Sequence, residues 1–248
     1  MELRNQVQTI SLQWPLYGYR RVQEELQRRG RRVNHKPVRQ MRREENLVCV
    51  RRRAFVRTTD SNHGLRVYPN LARQLVLNDI NQLWVADITY IRLRTEFVYL
   101  AVLLDAYSRR VIGWELSNSL SAELTLTALG QALRERQFAP GLVHHSDRGV
   151  QYAAAAYTQL LHKHKIQISM SRRGNPYDNP QAESFIKTLK YEEVYRSEYR
   201  DQTEVRTSIG SFLEKIYNEK RLHSALQYVP PAEFERELLK AKVSEAQR

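Results

Sequence analysis

Two neighbouring stretches in the middle of the chain constrain its fold more than any other feature. Residues 82–93 (QLWVADITYIRL) and 97–107 (FVYLAVLLDAY) are rich in β-branched and aromatic residues and are apolar on both faces. This pattern predicts two central strands of a sheet that is covered on both sides. Residues 109–116 (RRVIGWEL) follow closely enough to form a third, antiparallel strand.

The segments after these strands alternate between helical and extended patterns. The predicted elements are helices over 121–136, 154–164 and 202–217 and short strands at Leu142–His145 and Ile166–Ser169. Asn179 is a candidate N-cap, with Pro180 at the first position of a helix that ends near Tyr191. Together these elements predict an α/β fold, a mixed sheet flanked by helices.

The N-terminal part carries most of the positive charge. The 248-residue chain has a formal net charge of +13, and residues 1–60 hold 15 Lys and Arg against 6 Asp and Glu. Residues 16–47 predict two short helices, the first ending at Gly30 and the second capped by Asn34. Two basic helices joined by a turn are typical of helix-turn-helix DNA binders, although a plain basic helical hairpin fits equally well. The charge favours a nucleic acid partner over a merely solubilising surface.

Several classes of protein are excluded by what the sequence lacks. No apolar run approaches the roughly 18 residues that span a bilayer, and the N-terminus has no apolar signal-peptide core. Cys49 is the only cysteine, so neither an internal disulfide nor a multi-cysteine zinc site is possible. We therefore expect a cytoplasmic, nucleoid-associated protein with no membrane partner.

Three carboxylates are candidates for a catalytic site. Asp87 lies in the middle of the most apolar strand, where an unpaired carboxylate is costly, so it is paired in a buried ion pair, protonated or bound to a cation. Asp147 follows a short strand, where active sites of α/β sheets gather, but a lone Asp-Arg-Gly is more often a turn. Glu183 lies early in the helix after Asn179, and a surface Glu–Lys pair with Lys187 explains it as well.

Structural roles for all three carboxylates at once are a weaker explanation than a shared metal site. Two aspartates and a glutamate form a hard-oxygen site suited to Mg²⁺ or Mn²⁺. Two such ions in one site support an in-line displacement at phosphorus. A carboxylate site on a basic protein therefore indicates phosphodiester chemistry. Four nearby polar residues are interpreted as structural: Asp105 and Asp178 as turn residues, His144 and His145 as strand-end residues in preference to metal ligands.

Five blocks of the sequence resemble a known family. They are WVADITYI (84–91), LLDAYSRRVIGW (103–114), HSDRGVQY (145–152), GNPYDNPQAESFIKTLKYE (174–192) and YNEKRLHSALQYVPPAEFE (217–235). In this order they resemble the bacterial insertion-sequence transposases with an integrase-type DDE core, specifically the downstream-frame (OrfB-type) subunit. The resemblance covers residues 16–237. Ala86 stands where threonine is more usual, and Pro176 and Pro180 are also less usual.

The resemblance implies an RNase H-like fold and a division of the chain. Residues 1–50 are expected to form a helix-turn-helix-like DNA-binding segment, 51–80 a linker, 81–238 the catalytic core with a C-terminal helical extension, and 239–248 a tail. It assigns Asp87, Asp147 and Glu183 as the catalytic, metal-binding triad, holding two Mg²⁺ or Mn²⁺ ions. The residues expected to contact DNA are Lys190, Lys187, Arg39, Arg42, Arg43, Arg31 and Arg32.

The function that the resemblance implies is DNA transposition: metal-dependent cleavage at the element's ends and strand transfer by a 3′-OH. The expected partners are double-stranded DNA, further copies of this chain and an upstream-frame (OrfA-type) protein. Two alternatives remain, a simple nuclease on the same fold and a non-catalytic DNA binder. In the block from Tyr217, the residues Asn218, Arg221, His223 and Ser224 fit DNA contact and packing equally well.

Overall fold

A computed structural model describes residues 2–47, 64–173 and 175–246. The described chain divides into two units. The first contains residues 2–47 and the later segment Leu222–Val229, and the second contains residues 64–173, 175–221 and 230–246. Cys49 and residues 51–63 of the predicted linker lie outside the described residues.

The second unit is built on a five-stranded mixed sheet. Its strands are β1 (Leu83–Arg92), β2 (Phe97–Asp105), β3 (Val111–Ser117), β4 (Val143–Ser146) and β5 (Gln167–Met170). They lie in the order β3-β2-β1-β4-β5. The first three pair antiparallel, whereas β1–β4 and β4–β5 pair parallel. This sheet confirms the predicted α/β class and each of the five predicted strands.

Helices cover both faces of this sheet. They are α4 (Ala122–Glu135), α5 (Val150–Ala153), α6 (Ala155–Lys163), α7 (Pro180–Glu192), α8 (Gln202–Ser211) and α9 (Pro231–Ala246). Alternate residues of β1 enter opposite clusters, Val85 with Phe185 of α7 and Trp84 with Leu129 of α4. The strand is therefore apolar on both faces because helices bury both of its faces. No helix of the described chain is long and apolar enough to cross a bilayer.

The helix predicted over 154–164 is present as α6, and the short helix α5, which was not predicted, precedes it. Two further helical segments differ in detail from the expectation. The helix predicted over 202–217 changes to π-helical geometry at Phe212–Tyr217. The expected tail continues α9 as far as Ala246. This helix shows no apolar stripe in the sequence because its deeply buried residues include a charged one, Glu235, which is 2% exposed.

The first unit contains one more helix than predicted. Its elements are α1 (Glu2–Gln13), α2 (Tyr19–Arg28) and α3 (His35–Glu44). Gly30 follows α2 with a φ of +82°, and Asn34 caps α3 by accepting a hydrogen bond from the Lys36 N–H at 3.0 Å, both as predicted. Leu222 is buried in the same small core, and its N–H donates to the Tyr17 hydroxyl at 2.8 Å. The unit is therefore not continuous in sequence, unlike the predicted 1–50 segment.

Candidate active site

Asp87 and Asp147 lie at equivalent points of two adjacent parallel strands. The register of β1 and β4 pairs Trp84 with His144 and Val85 with His145. Continued by two residues, it leads to Asp87 and to Asp147, which directly follows β4. Neighbouring strands lie about 4.8 Å apart, so this register places the two carboxylates side by side near the end of β4.

Each aspartate accepts a hydrogen bond from a backbone N–H close to it in sequence. An Asp87 carboxylate oxygen accepts from the Ile88 N–H at 2.8 Å. Asp147 accepts from the Gly149 N–H at 2.9 Å, which forms a tight turn after the strand. A Cβ at Gly149 would lie 3.0 Å from the Asp147 carboxylate oxygen. The turn therefore leaves little room for any residue other than glycine.

Helix α7 carries the third carboxylate and is attached to β1 beside Asp87. Asn179 precedes the helix, but its side chain makes no capping hydrogen bond. Its amide donates instead to the Ala86 carbonyl at 3.0 Å, so the predicted capping interaction is wrong although the helix begins as predicted. Glu183 follows one turn later; its side chain reaches solvent, but the neighbouring protein partly desolvates its carboxyl. Phe185 and Leu189 anchor the helix in the core.

The charges of the three carboxylates act on one another. Burial raises the pKa of Asp87 well above its ordinary value, and the negative charges of Asp147 and Glu183 raise it further. Burial and Asp147 also raise the pKa of Glu183. Lys190 opposes both shifts, while burial lowers the pKa of Lys190 itself. The fold thus brings the triad and Lys190 into one electrostatic cluster with excess negative charge.

This cluster has the donor chemistry of a divalent-cation site. As the side chains stand, no three His, Cys, Asp or Glu residues of the described chain are close enough to hold a metal ion. The mutual repulsion that raises the pKa of Asp87 is what a cation between the carboxylates would relieve. The oxygen donors suit Mg²⁺ or Mn²⁺. The residues therefore fit such an ion, and its binding requires the side chains to converge further.

The residues predicted to contact DNA differ in accessibility. Arg32, Arg39 and Arg43 are exposed, and Arg31 forms an ion pair with Glu2 at 3.3 Å. Arg42 is only 5% exposed. Its guanidinium donates to the carbonyls of Tyr17 and, at 2.6 Å, Leu47. The prediction of a DNA contact for Arg42 is therefore corrected to a structural role, because its donors are used inside the first unit.

In the second unit, Lys187 is exposed and Lys190 is half-buried. The Lys190 ammonium lies 4.5 Å from the centre of the Tyr90 ring. Sequence reasoning missed Tyr90, which carried no signal beyond the apolar pattern of its strand. It also missed Tyr152, a buried residue whose high pKa, due first to burial, is raised further by Tyr157, Asp147 and Asp87.

The nearby polar residues pack as structural groups. His145 hydrogen-bonds to the hydroxyls of Ser169 and Ser171 at 2.8 and 3.0 Å, and His144 to the Tyr157 hydroxyl at 2.9 Å. Asp105 accepts from the backbone of its own turn, and Asp178 pairs with Arg172. These contacts agree with their interpretation as structural residues.

Three residues of the block that begins at Tyr217 pack inside the protein and do not face DNA. Tyr217 is buried in the core cluster beside α7. Asn218 hydrogen-bonds to the Val111 backbone, and Arg221 pairs with Glu192 at 2.8 Å. DNA contact is therefore not the role of these three side chains.

Comparison with known proteins gives matches over nearly the whole chain. Two Integrase core domain families match residues 78–176 and 164–231, and an HTH-like domain family matches residues 1–55. The insertion element IS600 31 kDa protein of Shigella sonnei is 40% identical over 219 residues, which are 88% of this chain and 80% of that protein. Transposase InsF for IS3A of Escherichia coli K12 is 36% identical over 220 residues, covering 88% and 76%.

A solved structure supports the fold. A chain in the cryo-EM structure of the simian T-cell lymphotropic virus intasome in complex with PP2A regulatory subunit B56 gamma matches with a TM-score of 0.54 at 16% identity. The match covers 70% of this chain and 60% of that chain. At this identity the likeness concerns the fold alone, and it agrees with the mixed sheet described above.

Proposed function

Because the chain belongs to the insertion-sequence transposases with an integrase-type core, and is thus a DDE-type enzyme of DNA transposition, we propose that Asp87, Asp147 and Glu183 are its catalytic carboxylates. The observation that carries this assignment is the shared register of Asp87 and Asp147 on β1 and β4. The raised pKa values of Asp87 and Glu183 support it, because perturbed carboxylates of like charge are typical of active sites.

The three carboxylates would hold two Mg²⁺ or Mn²⁺ ions. When bound, such ions supply Lewis-acid activation of the attacking and leaving oxygens at phosphorus. The protein's own part is to hold the carboxylates in place. Asp87 is held within a central strand, Asp147 in its turn with Gly149, and Glu183 on a helix attached to β1 through Asn179.

Lys190 is proposed to bind a phosphate of the DNA end. Its ammonium lies in the field of Asp87 and Glu183, and its charge lowers the pKa of both carboxyls. Once those carboxylates are engaged by cations, the lysine is free to pair with a phosphate as a point charge. Lys187, exposed one turn earlier on α7, is proposed to extend the same contact.

The chemistry requires no covalent link between protein and DNA. In the first step, water attacks a phosphodiester at the element's end, and the bond from phosphorus to the 3′ oxygen breaks to leave a 3′-OH. In the second step, that 3′-OH attacks a phosphodiester of the target and displaces the target's own 3′ oxygen. Each step exchanges one P–O bond for another, so no protein nucleophile is needed.

The first unit is proposed to bind the element's ends. Its HTH-like match and the exposed Arg32, Arg39 and Arg43 support contact with the phosphate backbone. Arg31 is a further candidate if DNA displaces its ion pair with Glu2. Both ends must be handled together, so we propose a homo-oligomeric complex, an upstream-frame partner for end recognition, and a location on the nucleoid.

The test compares the wild-type protein with Asp147→Asn on labelled duplexes that carry the element's own ends, with and without Mg²⁺. Glu237→Gln is the matched control, because this glutamate is exposed on α9. We expect metal-dependent nicking and joining by wild type and by the control, and loss of both in Asp147→Asn with DNA binding retained. Cleavage without joining would favour the simple nuclease. Binding without cleavage, even with the upstream-frame partner added, would favour a non-catalytic binder.

A further inference from the structure

Four aromatic side chains gather beside Lys190 and form what we call the aromatic patch: Tyr90, Phe97, Tyr191 and Tyr195. The ring centres of Tyr90 and Phe97 are 5.7 Å apart at an interplanar angle of 71°. Those of Tyr191 and Tyr195 are 5.5 Å apart at 87°. Lys190 joins the two pairs, because its ammonium lies over the Tyr90 ring and it is the neighbour of Tyr191 on α7. In agreement, Tyr90 and Tyr191 both add to the rise in the pKa of Tyr195 that burial causes.

The patch adjoins the candidate active site. The Lys190 ammonium lies over the Tyr90 ring, and the negative charges of Asp87 and Glu183 raise the pKa of the same ammonium. Tyr191 directly follows Lys190 on α7. A group bound on these rings would therefore lie next to the proposed site of phosphodiester chemistry.

The aromatic patch is not part of the core. None of its four residues belongs to the clusters of buried residues that hold the described sheet and helices together. Phe97 is 49% exposed and Tyr195 is 46% exposed. The Lys190 ammonium covers one face of Tyr90, so the patch offers its exposed ring surface chiefly at Phe97 and Tyr195.

The charges around the aromatic patch favour a polyanion. Arg92 is exposed and pairs in register with Phe97, Arg94 is exposed in the adjoining turn, and Arg196 follows Tyr195. The acidic residues nearby are Glu96 of the same turn, Glu192, which pairs with Arg221, and Glu193, which accepts hydrogen bonds from the Tyr199 and Ser208 hydroxyls. Exposed aromatic faces among arginines and a lysine match the way proteins bind unpaired nucleotides, whose bases stack on rings while their phosphates meet cations.

We propose that the aromatic patch is a stacking site for unpaired bases of the DNA strand that enters the active site. The proposal rests on the proposed function and extends it from phosphate chemistry to the bases beside the cut. Opening a few base pairs at the element's end costs free energy, and stacking of the freed bases on aromatic side chains offsets part of that cost. A protein with this site therefore favours ends that are frayed or easily melted.

The experiment measures affinity of the full chain by fluorescence anisotropy without divalent metal, so that no strand is cut. Three duplexes carry the element's end: fully paired, with three unpaired 3′ nucleotides, and with abasic sugars at those three positions. The last two carry the same charge and differ only in their bases. We expect the wild type to bind the unpaired end roughly tenfold more tightly than the abasic end, as about 1.4 kcal/mol of stacking predicts.

Variants of Tyr195 separate ring stacking from general apolar contact. Tyr195→Phe keeps the ring and is expected to keep the preference for bases. Tyr195→Ala and Tyr195→Leu remove the ring face, and each is expected to reduce the preference to about twofold or less. Affinity for the fully paired duplex is the control for folding and is expected to stay unchanged in all three variants.

Two results would overturn this proposal: equal wild-type affinity for the unpaired and abasic ends, or a preference that survives in Tyr195→Leu. These failures are distinguishable from failure of the proposed function. If wild type cuts and joins while Asp147→Asn does not, yet the base preference is absent, only the stacking site is wrong.

Discussion

Asp87 and Asp147 occupy matching positions on the adjacent parallel strands β1 and β4. The register pairs Val85 with His145, and the two aspartates each follow two residues later. The fold therefore brings two like charges together, and the pKa of Asp87 is raised by burial and by the charge of Asp147. Like charges placed together in this way destabilise the fold until a cation neutralises them. The cost is measurable in the stability of the metal-free protein.

Asp87→Asn is expected to stabilise the metal-free protein and to abolish its response to metal. Because the folded-state pKa of Asp87 is raised, its ionised form destabilises the fold, and this cost is present at pH 8 and relieved as the pH falls. We expect a rise in the thermal midpoint of about 2–4 °C for each 1 kcal/mol relieved. Thermal unfolding with and without Mn²⁺ measures both effects. An equal Mn²⁺-induced shift in wild type and variant would contradict the metal assignment.

Arg42 and Arg43 are adjacent arginines with different expected roles. Arg42→Ala removes buried hydrogen bonds to two backbone carbonyls, and we expect a loss of about 2–4 kcal/mol of unfolding free energy in the first unit. Arg43 is exposed, so Arg43→Ala is expected to leave stability unchanged and to lower the salt dependence of DNA affinity by about one phosphate contact. Thermal unfolding and a salt titration of DNA binding check the pair. Similar effects of both substitutions would refute the distinction.

Asn179→Ala is expected to slow catalysis without weakening DNA binding. The substitution removes the hydrogen bond that ties the start of α7 to Ala86, beside Asp87. A carboxylate displaced by about 1 Å is expected to cost up to a hundredfold in rate. Single-turnover cleavage measures the loss, and Ser184→Ala, on the exposed side of the same helix, is the control. Unchanged cleavage would mean that other contacts position Glu183.

Two glycines, one on β3 against α4 and one within α4, are expected to respond oppositely to substitution by alanine. A Cβ at Gly113 on β3 would lie 2.2 Å from the Ala128 carbonyl oxygen, so Gly113→Ala is expected to force β3 away from α4 and to prevent stable folding. Gly130 lies within α4, where a Cβ meets only the end of Arg134 at 3.4 Å. Gly130→Ala is therefore expected to stabilise by about 0.5–1 kcal/mol. Soluble yield and thermal midpoint are the measurements, and a stable Gly113→Ala protein would be the contrary result.

His144 is expected to make the protein sensitive to acid. Burial lowers its pKa to about 3 from an ordinary value near 6.5. The unfolded chain takes up a proton below pH 6.5 while the folded chain does not, so stability is lost as the pH falls from 6.5 towards 3, by up to about 1 kcal/mol per pH unit. His144→Gln is expected to flatten this slope in urea unfolding from pH 7 to 4.5. Parallel slopes for the two proteins would exclude His144 as the cause.

The strands were predictable because burial on both faces leaves a direct trace in sequence: residues 82–93 and 97–107 are continuously apolar. The gathering of the three carboxylates was also predicted. Asp87 is conspicuous in an apolar strand, and the blocks around Asp147 and Glu183 resemble the family. Each of these patterns lies within a short stretch of sequence, so it can be recognised without a structure.

The features that sequence reasoning missed depend on contacts between distant residues. Arg42 looks like any other arginine of a basic helix until its guanidinium meets the Tyr17 and Leu47 carbonyls. Helix α9 buries Glu235 against Arg136 and Arg110, and a charged buried residue leaves no apolar stripe. Asn179 has the signature of a helix cap, but its amide is taken by a strand 93 residues away.

The burial of Leu222 beside Tyr17 has a consequence for how the chain is made. The N-terminal helices leave the ribosome first, yet the segment that completes their core is translated about 170 residues later. At typical synthesis rates this delay lasts roughly 10 to 35 s. During that time the first unit lacks a buried residue of its core. The part of the protein that is proposed to recognise DNA therefore matures only when nearly the whole enzyme has been synthesised.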